Sequence, residues 1–204
     1  MASGVHGVIL AGGISSRMGF PKALMPLGNS FFLHRVYENL VAAELEPVHI
    51  VVNSGLMVSL QAQLSKFPTA KFVSNTQPAL GQIHSLKLGL KSAQEAGASA
   101  ALVALVDQPG IAISTLTKLA EQTLNAPDSI YVATYQSRHG HPVVIPSKFF
   151  EKFLNAPQGK TARDVLAELS EHVQYVECED PQVLADVDSP EDLAKLKLDD
   201  DELD

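Results

Sequence analysis

The sequence predicts an α/β protein whose central sheet is mostly parallel. Short apolar runs of strand-like length alternate along the chain with patterns of helical period, the order that consecutive βαβ units produce. The run Ala101–Val106 is apolar without interruption, as is typical of a strand covered on both faces. The predicted strands are Val5–Leu10, Val48–Val52, Lys71–Val73, Ala100–Val106, Ile130–Thr134, Pro142–Ile145 and Val173–Cys178.

Helical periodicity fills the gaps between these runs. Apolar side chains recur at intervals of three and four residues, so that each predicted helix has one apolar face for the sheet. The predicted helices cover Leu33–Val41, Leu86–Ala93 and Ile113–Leu124. The segment Thr161-x-x-Asp164 has the pattern of a capping box and predicts the start of a further helix.

Length and composition favour one folded domain. The chain has 204 residues, of which 46% are hydrophobic, enough to bury a sizeable core. We expect a single domain over residues 1–198 and a solvated acidic tail over residues 199–204. No internal repeat and no long low-complexity linker divides the chain.

Charge and cysteine content restrict the partners and the compartment. The net charge is −8 and the chain has no basic stripe, so we expect neither nucleic acid nor an anionic membrane as a partner. The single cysteine, Cys178, favours a reducing compartment. Because no signal peptide and no membrane-spanning window is evident either, we expect a soluble, cytoplasmic protein.

A phosphate-binding loop is the first candidate site. Ligands of an open parallel sheet bind beyond the carboxyl ends of its strands, and Gly12 and Gly13 directly follow the first predicted strand. Without Cβ atoms, their backbone can approach a ligand and present N–H donors. Arg17 and Lys22 follow, and a guanidinium and an ammonium are groups expected around a triphosphate. The segment matches neither a P-loop nor a dinucleotide-binding fingerprint. We nevertheless infer phosphate binding, because the two glycines and both cations follow the end of the first strand.

Acidic residues at two further positions suggest a metal site. Asp107 ends the continuous apolar run, where a carboxylate is suited to Mg²⁺ completed by substrate phosphates. Asp186 and Asp188 precede a predicted helix start at Ser189, which is itself explained as an N-cap. Either aspartate could supply a second metal carboxylate.

Three weaker signals remain. His141 precedes a predicted strand and could contact substrate, although a lone histidine beside a strand is more often structural. Gly81 opens a helix, whose N-terminus can receive an anion or a base edge. Lys160 and Arg163 lie at a helix start, which is unfavourable for positive charge and therefore hints at an anionic partner.

Taken in order, these motifs resemble those of the molybdenum cofactor nucleotidyltransferases, within the wider MobA-like NTP-transferase superfamily. The resemblance covers residues 5–197. Its first motif, from Leu10 to Lys22, is typical of the superfamily, whereas Asp107-Gln-Pro and Gly140-His-Pro resemble the cytidylyltransferase branch. The form Leu-Ala-Gly-Gly is that of the guanylyl branch, so CTP and GTP both stay open as the donor.

The resemblance implies a Rossmann-like, three-layer α/β/α fold and a Mg²⁺- or Mn²⁺-dependent enzyme. The enzyme would move CMP or GMP from an NTP to a phosphorylated acceptor, expected to be molybdopterin, and release pyrophosphate. By this likeness Arg17, Lys22 and Asp107 are catalytic, and Asp107 and Asp188 hold the metal. His141, Lys160 and Arg163 are acceptor-binding candidates. The expected nucleotide-binding residues are Leu10, Ala11, Gly12, Gly13, Arg17, Lys22, Asn75, Gly81 and Ser85.

Other functions share part of this pattern. A nucleotidyltransferase for a sugar phosphate or a polyol phosphate would have the same donor motif. A non-catalytic nucleotide- or cofactor-binding protein would have no need of paired metal carboxylates. An NAD-dependent dehydrogenase is disfavoured, because Asn53 rather than an acidic residue ends the second predicted strand and the glycine spacing differs.

Overall fold

The computed structural model describes residues 4–13, 21–188, 190–193 and 196. The expected acidic tail, residues 199–204, and the end of the expected domain lie outside these residues. The strands are β1 (Val5–Ala11), β2 (Pro26–Leu27), β3 (Ser30–Phe31), β4 (Val48–Asn53), β5 (Ala70–Asn75), β6 (Ala100–Leu105), β7 (Ile130–Tyr135), β8 (Arg138–Pro146) and β9 (Val173–Glu177).

In the described part of the chain, one seven-stranded sheet has the order β5-β4-β1-β6-β8-β7-β9. Its pairs are parallel except those of β8, which runs antiparallel to both β6 and β7. The two short strands β2 and β3 form a separate hairpin. The predicted mostly parallel sheet is therefore confirmed.

The helices connect the strands and cover the sheet. They are α1 (Phe32–Ala42), α2 (Ser54–Leu60), α3 (Gln82–Glu95), α4 (Ile113–Asn125), α5 (Phe150–Leu154), α6 (Ala162–Glu168) and α7 (Pro190–Leu193). The three helices predicted from amphipathic period fall within α1, α3 and α4. Among the helices described here, none has the length and apolar character to cross a lipid bilayer.

Apolar side chains are buried on both faces of the sheet. Along β1, Ile9 belongs to one core and its neighbours Val8 and Leu10 to the other, since successive side chains point to opposite faces. Helices α1 and α4 pack into the first core, and α3, α5 and α6 into the second. The result is the predicted three-layer α/β/α arrangement.

The start of β8 differs from the prediction. The strand was predicted to begin at Pro142, but β8 already begins at Arg138. A two-residue turn joins it to β7, with Gln136 at φ 49° and Ser137 at φ 61°. Two positive φ values match the twist of a tight antiparallel hairpin, so no longer loop is needed.

The strand order reverses beside β1. Strands β4 and β5 follow on one side of β1, whereas β6 pairs with its other side. In an open α/β sheet such a reversal leaves a crevice beyond the carboxyl ends of the two central strands. This point of the fold is where the candidate site lies.

Candidate active site

A cavity of about 810 Å³ opens at the carboxyl ends of β1 and β6. Its wall includes most of the residues that the sequence analysis proposed for nucleotide binding. Arg17, however, lies outside the described residues, so its role stays a prediction. The cavity is lined by Leu10, Ala11, Gly12, Gly13, Pro21, Lys22, Ala23, Asn53, Gly55, Leu56, Pro78, Gly81, Gln82, Ser85, Leu105, Val106 and Asp107.

The glycine pair forms one wall of this cavity. A Cβ atom on Gly12 would lie 2.8 Å from Ser85 Oγ and 3.4 Å from Asn75 Nδ2, so a larger residue would collide with the side chain of Ser85. A Cβ on Gly13 would meet no described atom within 4 Å, which leaves open space beside its backbone. Asn53 Nδ2 donates to Gly13 O at 3.3 Å and holds this turn against β4.

Asn75 lies behind the cavity wall. It is fully buried at the end of β5, and its Nδ2 donates to Ser85 Oγ at 2.9 Å. Its Oδ1 accepts the Gln77 amide at 2.8 Å. Asn75 is absent from the residues that line the cavity, so its contact with a ligand would pass through Ser85.

Gly81 precedes the helix that forms the adjoining part of the cavity wall. It is the N-cap of α3 and has φ 82°, a left-handed conformation that glycine adopts without steric cost. Gly81, Gln82 and Ser85 all line the cavity, so the first turn of a 14-residue helix borders it. The N–H groups and the dipole of a helix start favour an anion or an acceptor edge there.

Lys22 joins two carboxylates at the mouth of the cavity. Its Nζ lies 3.3 Å from Asp107 Oδ2 and also donates to Asp188 Oδ1. The three side chains are partly exposed, at 18% for Lys22, 25% for Asp107 and 55% for Asp188. Burial alone would lower the pKa of Lys22, but hydrogen bonds and charges of Asp188 and Asp107 outweigh it and hold the pKa above its ordinary value.

The donor set at this point fits a divalent metal only together with a ligand. Asp107 and Asp188 are hard oxygen donors that converge on one cation, Lys22 Nζ. Among the described residues, no three His, Cys, Asp or Glu side chains are disposed to hold a metal by themselves. One or two carboxylates completed by phosphate oxygens is the usual arrangement for Mg²⁺.

His141 borders a smaller cavity beside the main one. This second cavity has a volume of about 50 Å³ and shares Leu10 and Gln82 with the first. Burial lowers the pKa of His141, and the charge of Asp107 only partly opposes this. His141 is therefore a neutral imidazole near neutral pH, next to the carboxylate end of the main cavity.

Lys160 and Arg163 lie on the start of α6, away from both cavity walls. Thr161 and Asp164 form the predicted capping box there, which explains the helix start. Lys160 pairs with Glu168, and Arg163 is exposed. Ala162 of the same helix does line the smaller cavity, so α6 borders the space next to His141.

Three polar residues in or beside the site were not among the site residues predicted from the sequence. Asn53 lines the cavity and its Oδ1 also caps α2 through the Leu56 amide at 2.8 Å. Gln82 lines both cavities. Gln108 is buried directly after Asp107 and donates to Asp186. Position after a strand could have identified Asn53 and Gln108, but amides are too common in turns to stand out.

Comparison with known proteins agrees with this geometry. Residues 7–173 match the MobA-like NTP transferase domain. The crystal structure of Rv0371c from Mycobacterium tuberculosis H37Rv has the same fold, with a TM-score of 0.76 at 23% identity, covering 94% of this chain and 97% of that one. A complex of Rv0371C with manganese aligns with a TM-score of 0.71 at 21% identity.

The curated relatives are named as two kinds of enzyme, guanylyltransferases and an oxidoreductase. A probable molybdenum cofactor guanylyltransferase of Rhodopirellula baltica is 33% identical over 134 residues, 62% of this chain and 59% of that protein. The nicotine blue oxidoreductase of Paenarthrobacter nicotinovorans is 30% identical over 208 residues, 94% of this chain and 96% of that protein. A probable molybdenum cofactor guanylyltransferase of Mycobacterium ulcerans is 28% identical, covering 94% of this chain and 92% of that one.

The domain match covers residues 7–173, which is most of the chain. The chain belongs to the MobA-like NTP transferase family.

Proposed function

We propose that the chain transfers GMP or CMP from the corresponding NTP to a phosphorylated acceptor and releases pyrophosphate. The observation that carries the proposal is the convergence of Lys22, Asp107 and Asp188 at the mouth of a cavity lined by Gly12 and Gly13. A triphosphate needs cations and N–H donors along its length, and this wall supplies both.

GTP is the first donor that we propose, and CTP is the competing one. Gly12 supports GTP, since it keeps the Leu-Ala-Gly-Gly form and has Ser85 packed where a side chain would otherwise stand. Two relatives named above are described as guanylyltransferases, which supports the same choice. Ser85 and Gln82 line the cavity at the start of α3 and are suited to contact the base or ribose.

The reaction is an in-line displacement at the α-phosphorus. An oxygen of the acceptor phosphate forms the new P–O bond, the bond between the α- and β-phosphates breaks, and pyrophosphate leaves with the electron pair. Lys22 lines the cavity with a fully protonated ammonium, which stabilises negative charge that develops on the phosphates. Positioning and charge stabilisation carry the rate, and no side-chain nucleophile is needed.

Asp107 and Asp188 would hold a divalent metal, Mg²⁺ or Mn²⁺. Such an ion neutralises phosphate charge and fixes the orientation of the triphosphate when it is bound. Their shared contact with Lys22 supports this assignment, because it shows that both carboxylates face one cation position. The manganese complex of Rv0371C, a protein of the same fold, is consistent with it.

Molybdopterin is the acceptor that the relatives suggest. Two of them are named as molybdenum cofactor guanylyltransferases. We propose that neutral His141 contacts the acceptor at the smaller cavity, and that Lys160 and Arg163, near the start of α6, contact a part of the acceptor that extends outside this cavity. A sugar or polyol phosphate would use the same donor side and is the alternative acceptor.

A redox function is the second candidate, because the relative named nicotine blue oxidoreductase aligns with nearly the whole chain. The two functions have different products. Oxidation or reduction of an added substrate, without release of pyrophosphate from any NTP, would support the redox candidate. Dinucleotide-binding folds commonly hydrogen-bond the ribose with an acidic residue after the second strand. Asn53 lies at that position here, at the end of β4, which disfavours a dinucleotide cofactor.

The deciding experiment measures pyrophosphate release from GTP and from CTP, with Mg²⁺ or Mn²⁺ and molybdopterin as the acceptor. We expect release with one nucleotide and its loss in the Asp107→Asn variant, which keeps the side-chain shape. A folded Asp107→Asn protein with wild-type turnover would overturn the metal assignment. Release of pyrophosphate only with sugar phosphates would identify a sugar phosphate as the acceptor and leave the proposed reaction type unchanged.

A further inference from the structure

Residues 180–188, which we name the strap, carry both Asp186 and Asp188 and are tied to the loop after β6 by Gln108. Gln108 is 4% exposed, and its Nε2 donates to Asp186 Oδ1 at 2.8 Å and to Val183 O at 3.5 Å. The Val187 amide donates to Asp107 O at 2.9 Å. The strap is therefore hydrogen-bonded to both Asp107 and Gln108, in the loop after β6.

The other end of the strap is held by a different carboxylate. Asp180 is buried, and its Oδ2 accepts the Ala112 amide at 3.0 Å and Thr115 Oγ1 at 2.9 Å. Its Oδ1 accepts the Gln182 amide at 2.9 Å. Asp180 thus fixes the strap to the start of α4, while Gln108 fixes the end next to the active site.

The two aspartates near the end of the strap have different surroundings. Asp188 is 55% exposed and contacts Lys22 together with Asp107. Asp186 is exposed as well, but one of its carboxylate oxygens accepts the side-chain amide of Gln108. The orientation of that amide is set by its acceptors, because both contacts use Nε2, whereas Oε1 has no hydrogen-bond partner among the described residues.

Moving Asp186 toward the metal position would leave the buried Gln108 amide without its charged acceptor. A buried donor that loses its partner is unfavourable, and hydrogen bonds to charged groups are the stronger ones. Gln108 therefore retains Asp186, whereas Asp188 already meets a cation, the Lys22 ammonium, together with Asp107.

We propose that Gln108 and Asp186 are positioning residues: their hydrogen bond sets the strap so that Asp188 lies beside Asp107, where the two carboxylates would hold the metal, and Asp186 is not a ligand. The proposal rests on the proposed function in so far as it assumes a divalent metal between Asp107 and Asp188. It distinguishes two aspartates that sequence motifs treat alike.

The first test measures the position of the strap without any metal. Hydrogen exchange of the Val187 amide reports the bond to Asp107 O. We expect Gln108→Met and Asp186→Ala to speed this exchange by about tenfold or more, since both remove the anchoring bond. Asp186→Asn keeps an Oδ1 acceptor for Gln108 and is the matched control, with exchange close to that of the wild type. Unchanged exchange in both anchoring variants would overturn the proposal.

The second test measures Mn²⁺ affinity by electron paramagnetic resonance, with the nucleotide bound. We expect Gln108→Met and Asp186→Ala to weaken binding by about tenfold, in the range typical for groups that orient a ligand. Asp186→Asn should stay within about threefold of wild type, whereas Asp188→Asn should lose at least as much as Gln108→Met. Equal losses in Asp186→Asn and Asp188→Asn would overturn the proposal and make Asp186 a ligand.

The two tests separate this proposal from the proposed function. If the wild-type protein binds no Mn²⁺ and releases no pyrophosphate, the proposed function fails, and with it the claim that the strap positions a metal ligand. If it binds Mn²⁺ and turns over while Gln108→Met leaves both exchange and affinity unchanged, only the positioning proposal fails.

Discussion

Lys22 Nζ lies 3.3 Å from Asp107 Oδ2 across 85 positions of the sequence, and the same ammonium reaches Asp188 across 166. One cation therefore joins three separate segments: the loop after β1, the loop after β6 and the strap. Opposite charges at this separation attract strongly where water is partly excluded. The contact shows why the three segments must meet before the site exists.

Replacing Lys22 by Met should lower kcat for pyrophosphate release by about 100-fold or more, because removing one pre-positioned cationic donor commonly has an effect of that size. Some loss of melting temperature is also expected, because the variant leaves Asp107 and Asp188 without their shared ammonium, so turnover is compared at a temperature where the variant is fully folded. Lys148→Met is the control, because Lys148 pairs with Asp128 on the surface and should keep wild-type turnover. Turnover at the wild-type rate in Lys22→Met would exclude a catalytic role.

Gly12→Ala should destabilise the protein through a collision with Ser85. The added Cβ would lie 2.8 Å from Ser85 Oγ, and crowding of this kind costs about 1–3 kcal/mol of unfolding free energy. The double variant Gly12→Ala/Ser85→Ala should recover part of that loss, since the colliding oxygen is gone. Chemical denaturation measures both.

Gly13→Ala serves as the matched control for this collision, because its Cβ would meet no described atom within 4 Å. Its stability should stay close to that of the wild type, while its nucleotide affinity should fall if the open space belongs to the ligand. Equal destabilisation of the two alanine variants would contradict the assigned contact.

Much of the fold was predictable because its signals are local. The continuous apolar run of β6 and the amphipathic period of α1 and α4 each reflect burial that a short window of sequence records. Asp107 was identified as a candidate for the same reason, as the carboxylate that follows a continuous apolar run, and it does line the cavity. The antiparallel start of β8 was missed, since a turn of Gln136 and Ser137 lacks the usual glycine or asparagine.

The connections within the site depend on contacts between residues that are far apart in the sequence, so no short segment of sequence contains both partners. Choice between Asp186 and Asp188 was open from the sequence, because the two differ only in their partners, Gln108 and Lys22. Asn75 was predicted to bind the nucleotide and this stays a prediction, but the structure places it behind Ser85, a position that the sequence alone did not indicate. Burial and hydrogen-bond partners, rather than residue type, distinguish these roles.

Gly140→Ala should displace the strap. A Cβ on Gly140 would lie 1.9 Å from Val183 O, the carbonyl that also accepts from Gln108. Because backbone cannot yield as a flexible side chain does, the strap must shift, and we expect pyrophosphate release to fall by at least about tenfold. His139→Ala, at the neighbouring exposed position, is the control. Wild-type turnover in a folded Gly140→Ala protein would show that the strap tolerates movement.

The buried pair His6 and His49 should make stability depend on pH. His6 Nδ1 lies 3.3 Å from His49 Nε2, and His49 Nδ1 lies 2.7 Å from Ser92 Oγ. Burial, with the charges of His6 and Lys71, lowers the pKa of His49 to about 4, and burial lowers the pKa of His6 as well. The folded protein therefore keeps this pair neutral where the unfolded chain binds protons.

The sign follows from the lowered pKa. Stability from His49 is fully present above the ordinary histidine pKa of about 6.5 and is lost as the pH falls from there toward about 4, because protons bind the unfolded chain first. From the pKa of about 4, His49 alone should lower the unfolding free energy by about 2 kcal/mol between pH ~7.5 and pH ~5. Urea denaturation at the two pH values measures this difference.

His49→Leu removes the titrating group while filling a similar volume, so the pH-dependent loss of stability should shrink by about 2 kcal/mol even though the variant is less stable at every pH. Lys71→Met leaves both histidines in place but removes a cation that opposes their protonation, so its pH dependence should be weaker than that of the wild type but steeper than that of His49→Leu. A His49→Leu protein with the full wild-type pH dependence would place the titrating group elsewhere, on His34 or His141, whose pKa values burial also lowers.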